Sequence, residues 1–161
     1  MILAKHQPRG PHSCILILDH LKPGHNVGKI IRTANALGLF EVHLVGIGQF
    51  DTAHARGSVK QTRVLAFEKI EDSFLILENE GFQIFALDPK GEHTLGMTPF
   101  PEKTAFVVGH EEFGLSFKKE NYPAVQFLNI PQFGNVESLN VSIAASIAAF
   151  EHLRQQGWAR K

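Results

Sequence analysis

Cysteine is almost missing from this sequence: Cys14 is the one thiol, so no disulfide can close within the chain. It sits in the apolar run CILIL, which reads as a buried structural thiol instead of a reactive one. No apolar run approaches the ~20 residues of a membrane-spanning helix. The N-terminal MILAKHQPRGPH also lacks the apolar stretch of a signal peptide. A cytoplasmic protein with no membrane partner is the expectation. Net charge is missing too, since 16 Lys plus Arg balance 16 Asp plus Glu. That excludes a global electrostatic footprint of nucleic-acid binding, so local patches must carry any such role. No GxxxxGK[ST] occurs, which counts against an ordinary nucleoside-triphosphate hydrolase. The nine histidines show no zinc-site spacing, and no metal is expected. GIGQFD supplies Gly46 and Gly48 but places Asp51 where a dinucleotide fingerprint needs its third small residue. It reads as a turn, and an NAD-type oxidoreductase is set aside.

What the sequence does contain is one core. With 161 residues, 43% hydrophobic and 20% charged, the chain is expected to form a single domain over residues 1–161. CILILDH, EVHLVGI, FQIFALD, TAFVVGH and AVQFLNI are nearly continuous apolar runs, the pattern of strands covered on both faces. Helical spacing marks residues 26–40, with Asn26 as cap and Gly38 near the end, and residues 71–80 and 138–155. Alternating strands and helices predict a mostly parallel α/β sheet flanked by helices.

Ligands of such sheets bind beyond the carboxyl ends of strands. Three strand ends stand out: FALDPKG with Leu87, Asp88 and Pro89; FVVGHEEFGLS with Gly109, His110, Glu111 and Gly114; and IPQFGNVESLN with Ile130, Gly134, Ser138 and Asn140. Each joins a buried strand to a Gly or Pro turn that frees backbone groups for a ligand, and the three together would suit an adenosine-like group. Read singly they are turns, with Ser138 capping the last helix and Asn140 in its first turn. Lys29 and Arg32 share the polar face of the first helix, as a solvated surface or as a phosphate contact.

NVGKIIRTANALG, VVGHEEFGLS and IPQFGNVESLNVSIAASIAAFE resemble, in order and spacing, the three motifs of the SpoU (TrmH-like) RNA 2′-O-methyltransferases of the SPOUT superfamily. The resemblance runs from about Ile15 to Gln155. It implies an α/β fold with a C-terminal deep trefoil knot, a homodimer, and transfer of a methyl group from S-adenosylmethionine to an RNA ribose 2′-hydroxyl, with S-adenosylhomocysteine as product. Carried over by position, it implies cofactor contacts at Leu87, Gly109, Ile130, Ser138 and Leu139. Asn26, Arg32, Glu111, Ser138 and Asn140 fall on its catalytic positions. His110 and the pair Glu112 and Phe113 depart from the family pattern. A non-catalytic RNA-binding module of the same fold is the rival, for which losses at Arg32, Glu111 or Asn140 would be expected; all three are present.

Family models make the first-motif Arg a base, yet an arginine stays protonated at any ordinary pH. The expected role of Arg32 is therefore to clamp the ribose-phosphate and stabilise the developing alkoxide, with Ser138 and Asn140 orienting the hydroxyl. Arg9, Arg56, Lys60 and Arg63 are the expected RNA contacts, few enough for a shallow salt dependence. By analogy only, tRNA is favoured over rRNA. In the last helix Leu139, Ile143, Ile147 and Phe150 form one apolar stripe, and Val141, Ala144, Ala145 and Ala148 a second. A helix apolar on two sides needs two covers: both can come from the core of one chain, or, as the resemblance implies, one is the sheet and the other a second copy.

Overall fold

The structure, a computed structural model, describes residues 4–158. Seven strands, β1 (His12–Asp19), β2 (Leu39–Val45), β3 (Val64–Phe67), β4 (Gln83–Leu87), β5 (His93–Thr94), β6 (Thr104–Val108) and β7 (Gln126–Asn129), form one sheet. Their order is β3-β2-β1-β6-β4-β7-β5, and every pairing is parallel. Three helices cover the faces: α1 (His25–Ala36), α2 (Ile70–Asn79) and α3 (Val141–Gln155).

Alternation along the buried strands sorts the core into two layers. Cys14, Leu16 and Leu18 of β1 join Phe106 and Val108 of β6 under α1 and α3, whereas Ile15 and Ile17 join Ala105 and Val107 under α2. The covering helices are amphipathic in register with this. In α1 Val27, Ile30, Ile31 and Ala34 are buried, and in α3 Ala145, Ala148, Ala149 and Leu153. Alanines let α3 lie close to the sheet, and the larger Ile143, Ile147 and Phe150 stay exposed.

Some element boundaries differ from those the sequence suggested. α1 stops at Ala36, because Gly38 takes φ +63° and Leu39 already belongs to β2. Its cap is Gly24, while Asn26 lies in the first turn. α3 begins at Val141 and not at residue 138; Asn140 is the cap, its Oδ1 accepting from the Ser142 N–H. β3 and β5 carry no long apolar run and went unread.

Glu41 of β2 is fully buried, and three neighbours converge on it. His43 Nε2 donates to its Oε1 at 2.9 Å; Arg63 Nε and Arg9 Nε donate to Oε2 at 3.0 and 3.4 Å. Arg63 also donates to the Lys5 carbonyl, and Arg9 to Glu80 at 2.7 Å, so the pair ties the N-terminal segment to the sheet. Arg9 and Arg63 thus have an internal partner that the sequence did not reveal. Burial alone would raise the Glu41 pKa, but His43 and the two arginines outweigh it and hold the carboxyl below its ordinary range. Its contribution to stability is therefore complete above about pH 4.3, the usual Glu value, and is lost as pH falls through the lower folded value. Glu41→Ala leaves the buried His43 and the part-exposed Arg9 and Arg63 without their shared acceptor and is expected to cost about 3 kcal/mol, the low end for breaking a buried pair. Urea unfolding at pH 7 checks this; a loss under about 1 kcal/mol, the worth of an exposed pair, would show the network to be solvated.

Candidate active site

The carboxyl ends of β4, β6 and β7 open into a cleft of about 510 Å³. Leu87 and Asp88 line it after β4, Gly109 and Glu111 after β6, and Ile130, Gln132, Ser138, Leu139 and Asn140 between β7 and α3. All three strand-end loops singled out in the sequence meet here. Val108, Leu115, Leu128, Val141 and Ala144 supply apolar walls.

Backbone closure shapes the loop after β6. His110 and Gly114 exchange N–H···O=C bonds of 2.8 and 2.9 Å, pinching residues 110–114 into a tight bridge. Gly109 lies so close to the returning chain that a Cβ would stand 2.5 Å from the Gly114 carbonyl carbon and 2.6 Å from the Leu115 nitrogen. Only glycine fits there. The buried Asp19 at the end of β1 anchors the far side of the loop: its carboxylate accepts from the Ser116 N–H at 2.7 Å and the Ser116 hydroxyl at 2.8 Å. His110 has a local task, its Nδ1 accepting from the N–H groups of Glu112 and Phe113 while its ring stacks on Phe113.

A directed chain of hydrogen bonds borders the cleft. Asn140 Oδ1 accepts from the Ser142 N–H at 2.9 Å, which fixes the orientation of its amide. Its Nδ2 therefore donates to Asn26 Oδ1 at 3.2 Å, and Asn26 Nδ2 in turn donates to Glu111 Oε1 at 3.0 Å. Glu111 Oε2 accepts from the Lys22 N–H at 3.0 Å. Three stretches remote in sequence are thus joined: residues 22–26 at the start of α1, the loop after β6 and the cap of α3. Burial alone would push the Glu111 pKa up, but the bonds from Asn26 and the Lys22 N–H hold it below the ordinary range. The ionised carboxylate is thus kept as pH falls until below about 4.3. With both oxygens engaged, Glu111 is a brace.

Of the residues expected in the site, Asn26, Leu87, Gly109, Glu111, Ile130, Ser138, Leu139 and Asn140 come together. Arg32 does not: it is exposed on α1 outside the cleft lining. Its neighbour Thr33 meets Ser146 of α3 at 3.2 Å. Arg56 and Lys60 lie on the short turns after β2, away from the cleft lining. Sequence reading missed Lys22, which acts through its backbone, and Gln132, whose Oε1 is buried without a hydrogen-bond partner at the cleft wall. Among the described residues no helix is long and apolar enough to cross a membrane.

Fold and site define a parallel α/β protein with a cleft built from the loops flanking its last strands. A model of the SpoU rRNA methylase family matches residues 13–150, and the chain belongs to that family. It is 32% identical over 152 residues to a 23S rRNA (guanosine-2′-O-)-methyltransferase of Xylella fastidiosa, covering 91% of this chain and 61% of the relative. With a tRNA (guanosine(18)-2′-O)-methyltransferase of Thermus thermophilus it shares 29% over 160 residues, 96% of this chain and 79% of the relative. The chain therefore spans about three fifths of the first and four fifths of the second. Among solved structures, a TrmH/SpoU tRNA modifying enzyme of A. aeolicus superposes with TM-score 0.81 at 27% identity, over 92% of this chain and 79% of the other. An AdoMet-bound rRNA methyltransferase of Sinorhizobium meliloti superposes with TM-score 0.77 at 27% identity, over 92% and 58%.

Proposed function

We propose that this chain transfers the methyl group of S-adenosylmethionine to a ribose 2′-hydroxyl of RNA, leaving S-adenosylhomocysteine, and that it does so as a homodimer. One observation carries the reading: the Asn140–Asn26–Glu111 chain joins all three SpoU motifs at the rim of one cleft. The cleft also fits the cofactor. Gln132 Oε1 is a buried acceptor that lacks a donor, and the apolar walls are of the kind that hold an adenosine. Leu87, Gly109, Ile130, Ser138 and Leu139, all in the cleft lining, would hold it, and the AdoMet-bound neighbour supports the choice of cofactor. A trefoil-knotted C-terminal part is proposed with the family, and the strand order is compatible with it.

S-adenosylmethionine supplies a sulfonium methyl, an electrophile that needs no further activation. The protein's work lies with the nucleophile, a hydroxyl that is mostly protonated at neutral pH. Ser138 and the Asn140 amide orient it, and the rigid chain through Asn26 to Glu111 fixes where they stand. Arg32, permanently cationic, stabilises the developing alkoxide and holds the adjacent phosphate, and as the O–CH3 bond forms and the S–CH3 bond breaks the hydroxyl proton leaves to a phosphate oxygen of the RNA or to water. Because it does not line its own cleft, Arg32 acts in the cleft of the second copy. The exposed stripe Ile143, Ile147 and Phe150 on α3, beside the α1 turn that carries Arg32, is the dimer face. Ile143→Glu combined with Phe150→Glu is expected to shift sedimentation from two chains to one and to abolish turnover. A double variant that stays dimeric would place the interface elsewhere.

Arg56 and Lys60 remain as RNA contacts with no ion pair of their own among the described residues. Arg9 and Arg63 keep part of each guanidinium exposed, and any RNA contact there is shared with Glu41. Phe113 and Phe133, the latter 97% exposed, rise from the loops around the cleft and offer bases a stacking surface. The substrate proposed is a tRNA. It is supported by the Thermus relative and by a solved structure concerned with 2-OH methylation of C/U34 on tRNA, matched over 93% of this chain and 100% of that one at 29% identity and TM-score 0.76. An rRNA is the alternative, supported by the Xylella relative. Ribose-methylation mapping by mass spectrometry, comparing total RNA from cells with and without the gene, decides between them: a 2′-O-methyl lost only from rRNA would overturn the tRNA assignment.

A further inference from the structure

Outside the cleft, three metal-ligating side chains from separate parts of the chain meet. His25 opens α1, and Asp51 and His54 lie at the turn Ala53–Ala55 after β2. Asp51 Oδ2 is 3.6 Å from His25 Nε2 and 3.6 Å from His54 Nδ1, and the three groups' ligand atoms lie within 4.8 Å of one another. Ligands bound at about 2.0–2.1 Å to a tetrahedral zinc stand about 3.3 Å apart, so the two separations from Asp51 are close to those of a loaded site, and the two imidazoles must move only slightly to complete it.

The turn aims the carboxylate, and a buried ring nitrogen is left for a cation to satisfy. Asp51 Oδ1 accepts from the Ala53 N–H at 2.9 Å, which turns Oδ2 toward the rings. His54 Nδ1 is shut off from solvent with no hydrogen-bond partner, just beyond bonding reach of that anionic oxygen. Buried polar atoms seldom go unpartnered, and an ion between Nδ1 and Oδ2 would satisfy both.

We propose that His25, Asp51 and His54 form a binding site for one transition-metal dication such as zinc, with water in the remaining position. Two imidazoles and one carboxylate suit zinc, whereas magnesium and calcium prefer oxygen throughout. The two rings now stack at 4.0 Å and 21°, an arrangement that does not aim both lone pairs at one point. Loading therefore swings the His25 ring, whose side chain is 63% exposed and free to turn. The ion would clip the first turn of α1, one residue from Asn26, to the segment carrying Arg56 and Lys60. These two pieces already touch closely, since a Cβ on Gly28 would stand 3.1 Å from the Ala55 nitrogen and 3.2 Å from the Asp51 carbonyl oxygen. The ion has no part in methyl transfer and serves as a brace for the RNA-facing turn.

Calorimetric titration of chelator-treated, full-length protein with Zn²⁺ tests this, with Co²⁺ absorption as an independent readout of the ligand set. One saturable site per chain is expected, weakened at least about tenfold by His25→Ala and by His54→Ala. His93→Ala, an exposed histidine on β5 remote from the cluster, should leave it unchanged, and Mg²⁺ should give no heat. Co²⁺ should show the visible bands of a low-coordinate site in the native protein and lose them in Asp51→Asn. Absence of saturable Zn²⁺ binding would overturn the proposal, as would binding that survives both histidine substitutions.

Discussion

Arg32→Ala and Gly109→Ala chains, each inactive alone, are expected to recover about a quarter of the native rate when co-expressed in equal amounts. The arithmetic follows from two-fold symmetry: random pairing makes about half the dimers mixed, and each mixed dimer holds one cleft that is intact and faced by an intact Arg32. Each variant fails for a different reason. Arg32→Ala removes the cation at the developing alkoxide, a loss of about 10²–10³ in turnover, with S-adenosylmethionine binding unchanged. Gly109→Ala drives a methyl into backbone at 2.5–2.7 Å and must displace residues 110–115, the wall of the cleft, so cofactor binding is lost. Mixed dimers that are demonstrably formed yet inactive would show that Arg32 serves its own cleft or none. Arg32→Lys sharpens the point: near-normal turnover with unchanged RNA affinity would make the forked geometry irrelevant.

Glu111→Gln is expected to lower turnover by about 10²-fold while changing cofactor affinity little. The substitution is nearly isosteric, but the site needs two acceptors. One Glu111 oxygen takes the Asn26 amide and the other the Lys22 N–H. A glutamine offers one acceptor and one donor, so a donor must face a donor, and the polarity of the chain is fixed from its other end by the Ser142 N–H. Asn26 and Asn140 are then displaced, and an error of about 1 Å in the groups that orient the hydroxyl is enough for a loss of this size. Single-turnover rates together with cofactor calorimetry separate the cases. Unchanged turnover would mean that the brace is dispensable; lost cofactor binding would mean that Glu111 supports the wall instead.

Much of this was legible in the sequence where burial dictated composition. The runs around Leu16, Val42, Phe85, Phe106 and Phe127 read as doubly covered strands because residues on both faces had to be apolar. The four residues of β3 and the two of β5 were not legible, since short strands toward the sheet edges bury too little to impose a pattern. The three cleft loops could be found because a strand end with Gly or Pro is visible locally. What those loops do to one another was not. That Asn140 caps α3 and hands its amide to Asn26, 114 residues away, depends on how the chain packs. The same holds for Arg9 and Arg63, whose cationic side chains read as RNA contacts until the fold put the buried Glu41 between them. The cluster of His25, Asp51 and His54 has no zinc-motif spacing, and only the contact of α1 with the turn after β2 brings it together.

The central claim is methyl transfer to a ribose oxygen, and one measurement meets it directly. Purified protein is incubated with methyl-labelled S-adenosylmethionine and RNA from cells lacking the gene, and the RNA is digested to nucleosides for mass spectrometry. The label is expected on the ribose fragment of one 2′-O-methyl nucleoside and is expected to be absent with Arg32→Ala. Label on a base, or none on any RNA while the cofactor binds, would contradict it.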